Sequence, residues 1–310
     1  MKLIAAFFRL IRWLNLLFIA LTQCLFQYCI IVPMFRQHAI SPALPLRYFS
    51  LLSLSSLLIA AGGYIINDYF DLNIDKINKP GRIVVERVMR RRWAIVWHWT
   101  LSVAGVLIGM YVGWKTGVIW LGFANIGCVI ALWVYSTTFK KKLLSGNIII
   151  SLLTAWVVMV IGSTTHFRMI AHSDIFGTVS ASKLLRFTFL YSGFAFIICL
   201  IREIIKDVED IRGDERYGCR TMPIVWGVHV SKIVAGTWIG VLTSALFIVW
   251  AYILQFGWWI AALWCFCAII LPLLFILTKL FSAQSTADFA KLSSWIKFVM
   301  LTGILSMIFF

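Results

Sequence analysis

An all-α integral membrane architecture of about nine transmembrane helices follows from three features of the 310-residue sequence. The chain is 62% hydrophobic and only 13% charged, with a mean hydropathy of +0.93, a balance that a water-soluble domain cannot carry without exposing large apolar patches. Apolar stretches of about 20 residues, the length needed to cross a ~30 Å hydrocarbon layer as a helix, recur along the whole chain. The basic residues gather in alternate loops between those stretches, as the positive-inside bias requires.

The nine predicted spans are 13–34, 46–66, 94–113, 117–138, 146–166, 184–205, 224–253, 257–280 and 292–310, in one membrane domain covering 1–310. Lys2, Arg9 and Arg12 precede the first; the run is long and no small-residue cleavage site follows, so it reads as a retained helix and not as a signal peptide. The loop after the second runs from Lys76 to Arg92, Lys140 to Lys142 follow the fourth, and Arg202 to Arg220 follow the sixth. These loops and the start of the chain are expected on the cytoplasmic side of a bacterial inner membrane. The net charge of +16 is therefore a topology signal, and nucleic acid is not an expected partner. Arg87, Arg90, Arg91 and Arg92 fit anchoring or contact with anionic membrane lipids. The seven cysteines have neither C-x-x-C spacing nor paired loop positions, and read as small core hydrophobes. His38, His98, His166, His172 and His229 form no ligand spacing.

The acidic residues carry the chemistry. Only twelve occur, and ten fall in two segments: Asp68, Asp71, Asp75 and Glu86, then Glu203, Asp207, Glu209, Asp210, Asp214 and Glu215. Both segments begin at the cytoplasmic ends of hydrophobic spans, where carboxylates are costly enough to imply function. If the second helix continues through the first segment, Asn67, Asp71 and Asp75 share one face. Asp210 and Asp214 repeat the four-residue spacing, with Asp207 one turn earlier. Like charges so spaced repel, and a cation is expected among them.

Carboxylates with an amide oxygen suit a hard, oxygen-bound cation. Mg²⁺ takes one or two carboxylates from protein and completes its shell with water and phosphate, so two such clusters are enough to grip a diphosphate. Arg82, Lys140, Lys141, Arg212, Arg216 and Arg220 are the cations available to neutralise the remaining phosphate charge.

N-D-x-x-D-x-x-x-D followed by I-N-K-P-x-R, and D-x-x-D-x-x-x-D followed by Y-G-x-R-T-x-P, resemble the paired signatures of the UbiA superfamily of intramembrane prenyltransferases. The resemblance covers the whole chain and implies a nine-helix bundle around a central cavity, transferring a prenyl group from its diphosphate with Mg²⁺. Carried over by position, it assigns Asn67, Asp71 and Asp75 to one metal site, with Asp68 beside them, and Asp210 and Asp214 to the other, with Asp207 one turn before. Tyr135, in a stretch similar to the family's Tyr-Ser-x-x-x-Lys, is implied near the reacting carbon. Lys140 or Lys141, with Arg82 and Arg220, is implied at the diphosphate. Where many members continue with Pro and Ser-Gly, this sequence has Ile83-Val84-Val85-Glu86-Arg87, a departure that bears on the loop's shape and the acceptor.

The run I-K-D-V-E-D-I-R-G-D with Y-G-C-R-T is most similar to the branch of geranylgeranylglycerol-phosphate geranylgeranyltransferases, which implies a glycerol-phosphate lipid as acceptor; an aromatic acceptor such as 4-hydroxybenzoate or a quinone precursor is the alternative. A transporter is the reading from another class, against which stands the clustering of acids at one membrane face instead of the midplane. The D-G-x-x-A-R string of CDP-alcohol phosphotransferases does not occur.

Overall fold

The computed structural model describes residues 2–78, 81, 84–86 and 89–310. Among these residues nine helices are long and apolar enough to cross a membrane: Trp13–Arg36, Leu46–Asn78, Arg91–Thr116, Trp120–Thr137, Ser145–Ala171, Ala181–Glu209, Gly227–Leu254, Trp259–Ser282 and Thr286–Phe309. They are called the first to ninth spans below. The expected number and order are recovered; most boundaries shift by a few residues, and three of the shifts have a visible physical reason. The second span runs on to Asn78, because its last turns, past the hydrocarbon, carry no glycine or proline to stop them. Its 33 residues extend about 50 Å, well beyond a ~30 Å apolar layer. The sixth likewise reaches Glu209. The ninth begins at Thr286, where Ser285 accepts from the Asp288 backbone N–H and the Asp288 carboxylate accepts from the Ser285 N–H, a capping box that fixes the helix start.

The chain divides into two compact units, one of residues 1–139 and 156–190, the other of residues 140–155 and 191–310. In the first unit the second span is the most enclosed of the nine, and small residues let its neighbours approach closely. Ser55 Oγ donates to the Gly105 carbonyl at 2.6 Å, and Asn125 Nδ2 donates to Ser55 Oγ at 3.0 Å, tying the second, third and fourth spans together. His98 is buried in the third span, with Nδ1 2.9 Å from the Gly62 carbonyl. Gln23 of the first span donates to Ser56 Oγ at 3.2 Å and to the Val157 carbonyl at 3.1 Å. A short amphipathic helix, Lys2–Leu10, precedes the first span and buries Ala6 and Leu10 with Ile65, Leu72 and Ala94.

The second unit is built on a core that includes Ile198, Ile201, Ile239, Leu273, Ile276 and Ile296. Its eighth span contains a π-helical stretch, Cys265–Ile270, directly before Leu271 and Pro272. Proline has no N–H to give the carbonyl four residues back and its ring crowds that carbonyl, so the helix widens there. The carbonyl left over, that of Ala268, accepts instead from Thr302 Oγ1 of the ninth span at 2.7 Å. The first span, in the first unit, shows the same pattern, with Phe26–Ile31 widened ahead of Pro33. All seven cysteines are free. Trp114, Phe123, Ile248 and Ile260 are among the large apolar side chains left facing outward, where lipid is their solvent.

Gly105 tests the close packing in the first unit. A Cβ there would stand 2.7 Å from Ile59 Cγ1 and 3.0 Å from the Ser55 carbonyl, so Gly105→Ala is expected to cost about 1–3 kcal/mol by overpacking. Thermal unfolding in detergent should show a clear drop, and an unchanged midpoint would contradict the close approach.

Candidate active site

The first acidic motif lies on the C-terminal turns of the second span as one unbroken helix, so the four-residue repeat does place Asn67, Asp71 and Asp75 along one stripe. Asn67 Nδ2 donates to Asp71 Oδ2 at 2.7 Å. Asp71 is only 5% exposed, while Asn67, Asp68 and Asp75 are half-buried. Asp68 is drawn aside: Arg12 Nη2 donates to its Oδ1 at 2.6 Å. Tyr135 sits half-buried in the last turn of the fourth span. Arg82 lies outside the described residues.

The chain after the first motif folds back on it. Lys76 and Arg91 both pair with Glu86, at 3.2 and 3.3 Å, Arg91 also stands over the Tyr69 ring at 5.3 Å, and Val84, Val85 and Met89 join the apolar cluster around Leu72. Arg91 of the basic run thus has a structural partner in Glu86, whose backbone adopts φ 69°.

The second motif is jointed. The sixth span ends at Glu209, Asp210 makes the turn with φ −95° and ψ 5°, and a short helix, Ile211–Arg216, carries Asp214. The helical hydrogen-bond pattern still crosses the joint: the Asp210 N–H donates to the Lys206 carbonyl at 2.8 Å and the Asp214 N–H to the Asp210 carbonyl at 3.3 Å. Asp207, Asp210 and Asp214 therefore keep their turn-by-turn spacing. Asp214 is buried, and Asp207 lies within electrostatic reach of both Asp214 and Glu203. Negative charge is concentrated there, an arrangement that a cation relieves.

In this unit Asn147 escaped the reading of the sequence, in which Glu203 stands as one of the clustered acids without its partners. Asn147, in the first turn of the fifth span and 7% exposed, donates to Asp207 Oδ2 at 2.8 Å. One polar residue at the start of an apolar stretch carries no periodic signal to mark it. Glu203 is held between Arg202 at 2.8 Å and Lys206 at 3.2 Å, one turn deeper than Asp207; the close spacing of Arg202, Glu203 and Lys206 was legible, their mutual pairing less so. Lys140 and Lys141 lie in a 3₁₀ turn after the fourth span. The Arg220 N–H donates to the Lys141 carbonyl at 2.7 Å, which brings three of the predicted diphosphate-binding residues into one loop cluster. Lys140 is half-buried, and Lys141 and Arg220 are exposed.

Among the described residues, no three His, Cys, Asp or Glu side chains form a cage able to hold a metal ion by themselves. The donors present are carboxylates and amides, hard oxygen ligands that suit Mg²⁺. A metal that shares its shell with substrate phosphate needs only one or two of them, so the residues fit Mg²⁺ brought with a diphosphate and not a permanently caged ion.

Residues 9–301 match the family model of the UbiA prenyltransferase family. The chain is 35% identical over 204 residues to a digeranylgeranylglyceryl phosphate synthase of Sulfolobus acidocaldarius, covering 64% of each chain. It is 34% identical over 200 residues to that of Methanothermobacter thermautotrophicus, covering 63% of each, so the chain spans less than two thirds of the length of these curated relatives. A solved structure reported for a digeranylgeranylglyceryl phosphate synthase in membranes shares the fold, with a TM-score of 0.61, 22% identity and 99% of both chains covered. A UbiA homolog from Archaeoglobus fulgidus, solved with DMAPP and Mg²⁺, superposes with a TM-score of 0.57 at 16% identity, over 97% of this chain and 98% of that one. With both acidic motifs inside the matched residues and the nine-span fold shared, the chain belongs to the UbiA prenyltransferase family.

Proposed function

We propose that the chain transfers a prenyl group from an allylic prenyl diphosphate to a glycerol-phosphate lipid, with release of diphosphate and dependence on Mg²⁺. The observation that carries this reading is the unbroken helix that leaves the apolar layer with Asn67, Asp71 and Asp75 on one stripe, hydrogen-bonded at its centre and short of a complete metal cage. The acceptor class is supported by the relatives, which are digeranylgeranylglyceryl phosphate synthases. Mg²⁺ is supported by the Archaeoglobus homologs solved with DMAPP or GPP and that ion. The chain acts as a single domain over 1–310 in a cytoplasmic membrane, with both acidic motifs and the start of the chain on the cytoplasmic side.

Asn67, Asp71 and Asp75 hold one Mg²⁺ and Asp210 and Asp214 another, with Asp207 in support. When bound, Mg²⁺ neutralises the charge that develops on the departing diphosphate. Lys140, Lys141, Arg220 and Arg82 are the cations assigned to charge-assisted hydrogen bonding of a diphosphate. Asn67 and Asn147 each fix the rotamer of one carboxylate, so the ligands are oriented before substrate arrives. Tyr135 lies beside the reacting carbon, where its ring face stabilises allylic cation character. The apolar spans admit the prenyl tail from lipid and keep water from the cation.

Asp71→Ala and Asp210→Ala are each expected to lower transfer below about a tenth of the wild-type rate, a loss of more than ~1.4 kcal/mol of transition-state stabilisation, while the detergent melting point stays nearly unchanged. Retention of greater activity by either variant would sink the two-motif reading. Lys140→Gln and Arg220→Gln should reduce kcat/KM about ten- to a hundredfold, from the roughly 1.5–3 kcal/mol carried by a hydrogen bond to a charged group, equally for ten-, fifteen- and twenty-carbon donors. A change in donor ranking, or no change at all, would show that the residue serves topology alone. For orientation, single cysteines at positions 78 and 216 of a cysteine-free variant should react with an impermeant thiol reagent only after the membrane is opened; labelling in intact cells would reverse the assignment.

A further inference from the structure

Arg12 stands at an unusual place. The helix Lys2–Leu10 ends two residues before it, and the Arg12 carbonyl accepts the first hydrogen bonds of the next helix, from Asn15 at 2.7 Å and Leu16 at 3.3 Å. To turn the chain between the two helices Arg12 adopts φ 51° and ψ 55°, a left-handed conformation that glycine takes without strain and a long side chain does not. An arginine held there implies that its side chain has a task. Its Nη2 donates to Asp68 Oδ1 at 2.6 Å, and its guanidinium lies over the Tyr64 ring, 5.3 Å from the centroid. Tyr64 and Asp68 are one turn apart on the second span, so the one cation grips two successive positions of the helix that carries the first acidic motif. The pair is partly shielded, Asp68 being 19% exposed. Around it Ala6 and Leu10 bury against Ile65, just before the motif, and Leu72, within it.

We infer that Arg12 is a positioning residue for the first acidic motif: it engages Asp68 as its counter-ion, fixes the rotation of the second span, and thereby sets the direction in which Asn67, Asp71 and Asp75 meet Mg²⁺ and diphosphate. Asp68 then serves the clamp and not the metal. The role rests on the proposed reaction for its consequence, and on geometry alone for its existence. It also ties the amphipathic helix Lys2–Leu10 to the site, so a disturbance of that helix reaches the carboxylates through Arg12.

The test uses the purified full-length protein with Mg²⁺ and inorganic diphosphate, followed by thermal shift, so that no turnover is needed; transfer kinetics are measured alongside. Arg12→Gln and Asp68→Asn are each expected to raise the Mg²⁺ concentration giving half the maximal shift by about tenfold, the scale of lost outer-shell support. The double variant should be no worse than the worse single one, and Arg12→Lys should recover most of the loss. If either single variant folds poorly, the exchanged pair Arg12→Asp with Asp68→Arg should restore both folding and the Mg²⁺ midpoint. Loss of Mg²⁺ response on Asp68→Asn but not on Arg12→Gln would make Asp68 a ligand and overturn the inference. A lowered melting point with an unmoved Mg²⁺ midpoint would also overturn it, since a purely structural ion pair predicts that. Coupled shifts in a protein that transfers no prenyl group would uphold the clamp and remove the proposed reaction instead, whereas a wild-type protein indifferent to Mg²⁺ and diphosphate would remove both.

Discussion

Negative charge at the edge of a hydrocarbon layer is the constraint on which the rest of this molecule depends. A carboxylate there persists only with a partner, and partners are visible for four of them: Asn67 on Asp71, Arg12 on Asp68, Asn147 on Asp207, and Arg202 with Lys206 on Glu203. The partners differ in kind, and the difference matters. Asp68 and Glu203 are met by full positive charges and are thereby neutralised within the protein. Asp71 and Asp207 are met by neutral amides, which orient a carboxylate without cancelling its charge. In both pairs the amide fixes the direction of one carboxylate oxygen, the orientation that the proposed site would offer to Mg²⁺ arriving with its substrate.

The same distinction explains the small residues and the breaks in the spans. Carboxylates are directed by backbones, so the helix that bears Asp71 must be held firmly. Close contact through Gly62 and Gly105, with Ser55 bonded to a carbonyl of the next span, provides that hold by van der Waals packing where no hydrophobic force acts between helices. Where proline interrupts a span, the freed carbonyl finds a hydroxyl on a neighbouring helix, as Ala268 does with Thr302, because lipid offers no donor of its own.

Much of this was legible in the sequence. Hydropathy and length alone give nine spans, and the spacing of Asn67, Asp71 and Asp75 gives the stripe, because both depend on local periodicity. The capping box at Ser285 and Asp288 was also present as a short signal, yet the apolar run that marks the ninth span starts several residues later and obscures it. Other features lay beyond reach. Asn147 and Asp207 are 60 residues apart in the chain, Arg12 and Asp68 are 56 apart, and no single sequence tells an arginine that clamps an acid from one that merely marks the cytoplasmic side. The joint at Asp210 falls on a residue that is neither proline nor glycine, and Gly213 lies inside the short helix that follows it.

The central claim is that these oriented carboxylates serve prenyl transfer to a lipid hydroxyl. It is tested most directly by mass spectrometry of the products formed when the purified protein meets geranylgeranyl diphosphate and a set of acceptors, with and without Mg²⁺. The account predicts a geranylgeranyl ether of the glycerol-phosphate lipid, formed together with an equal amount of diphosphate and only when Mg²⁺ is present. An adduct of 4-hydroxybenzoate in its place would contradict the assigned acceptor, and the absence of any prenylated product would contradict the reaction itself.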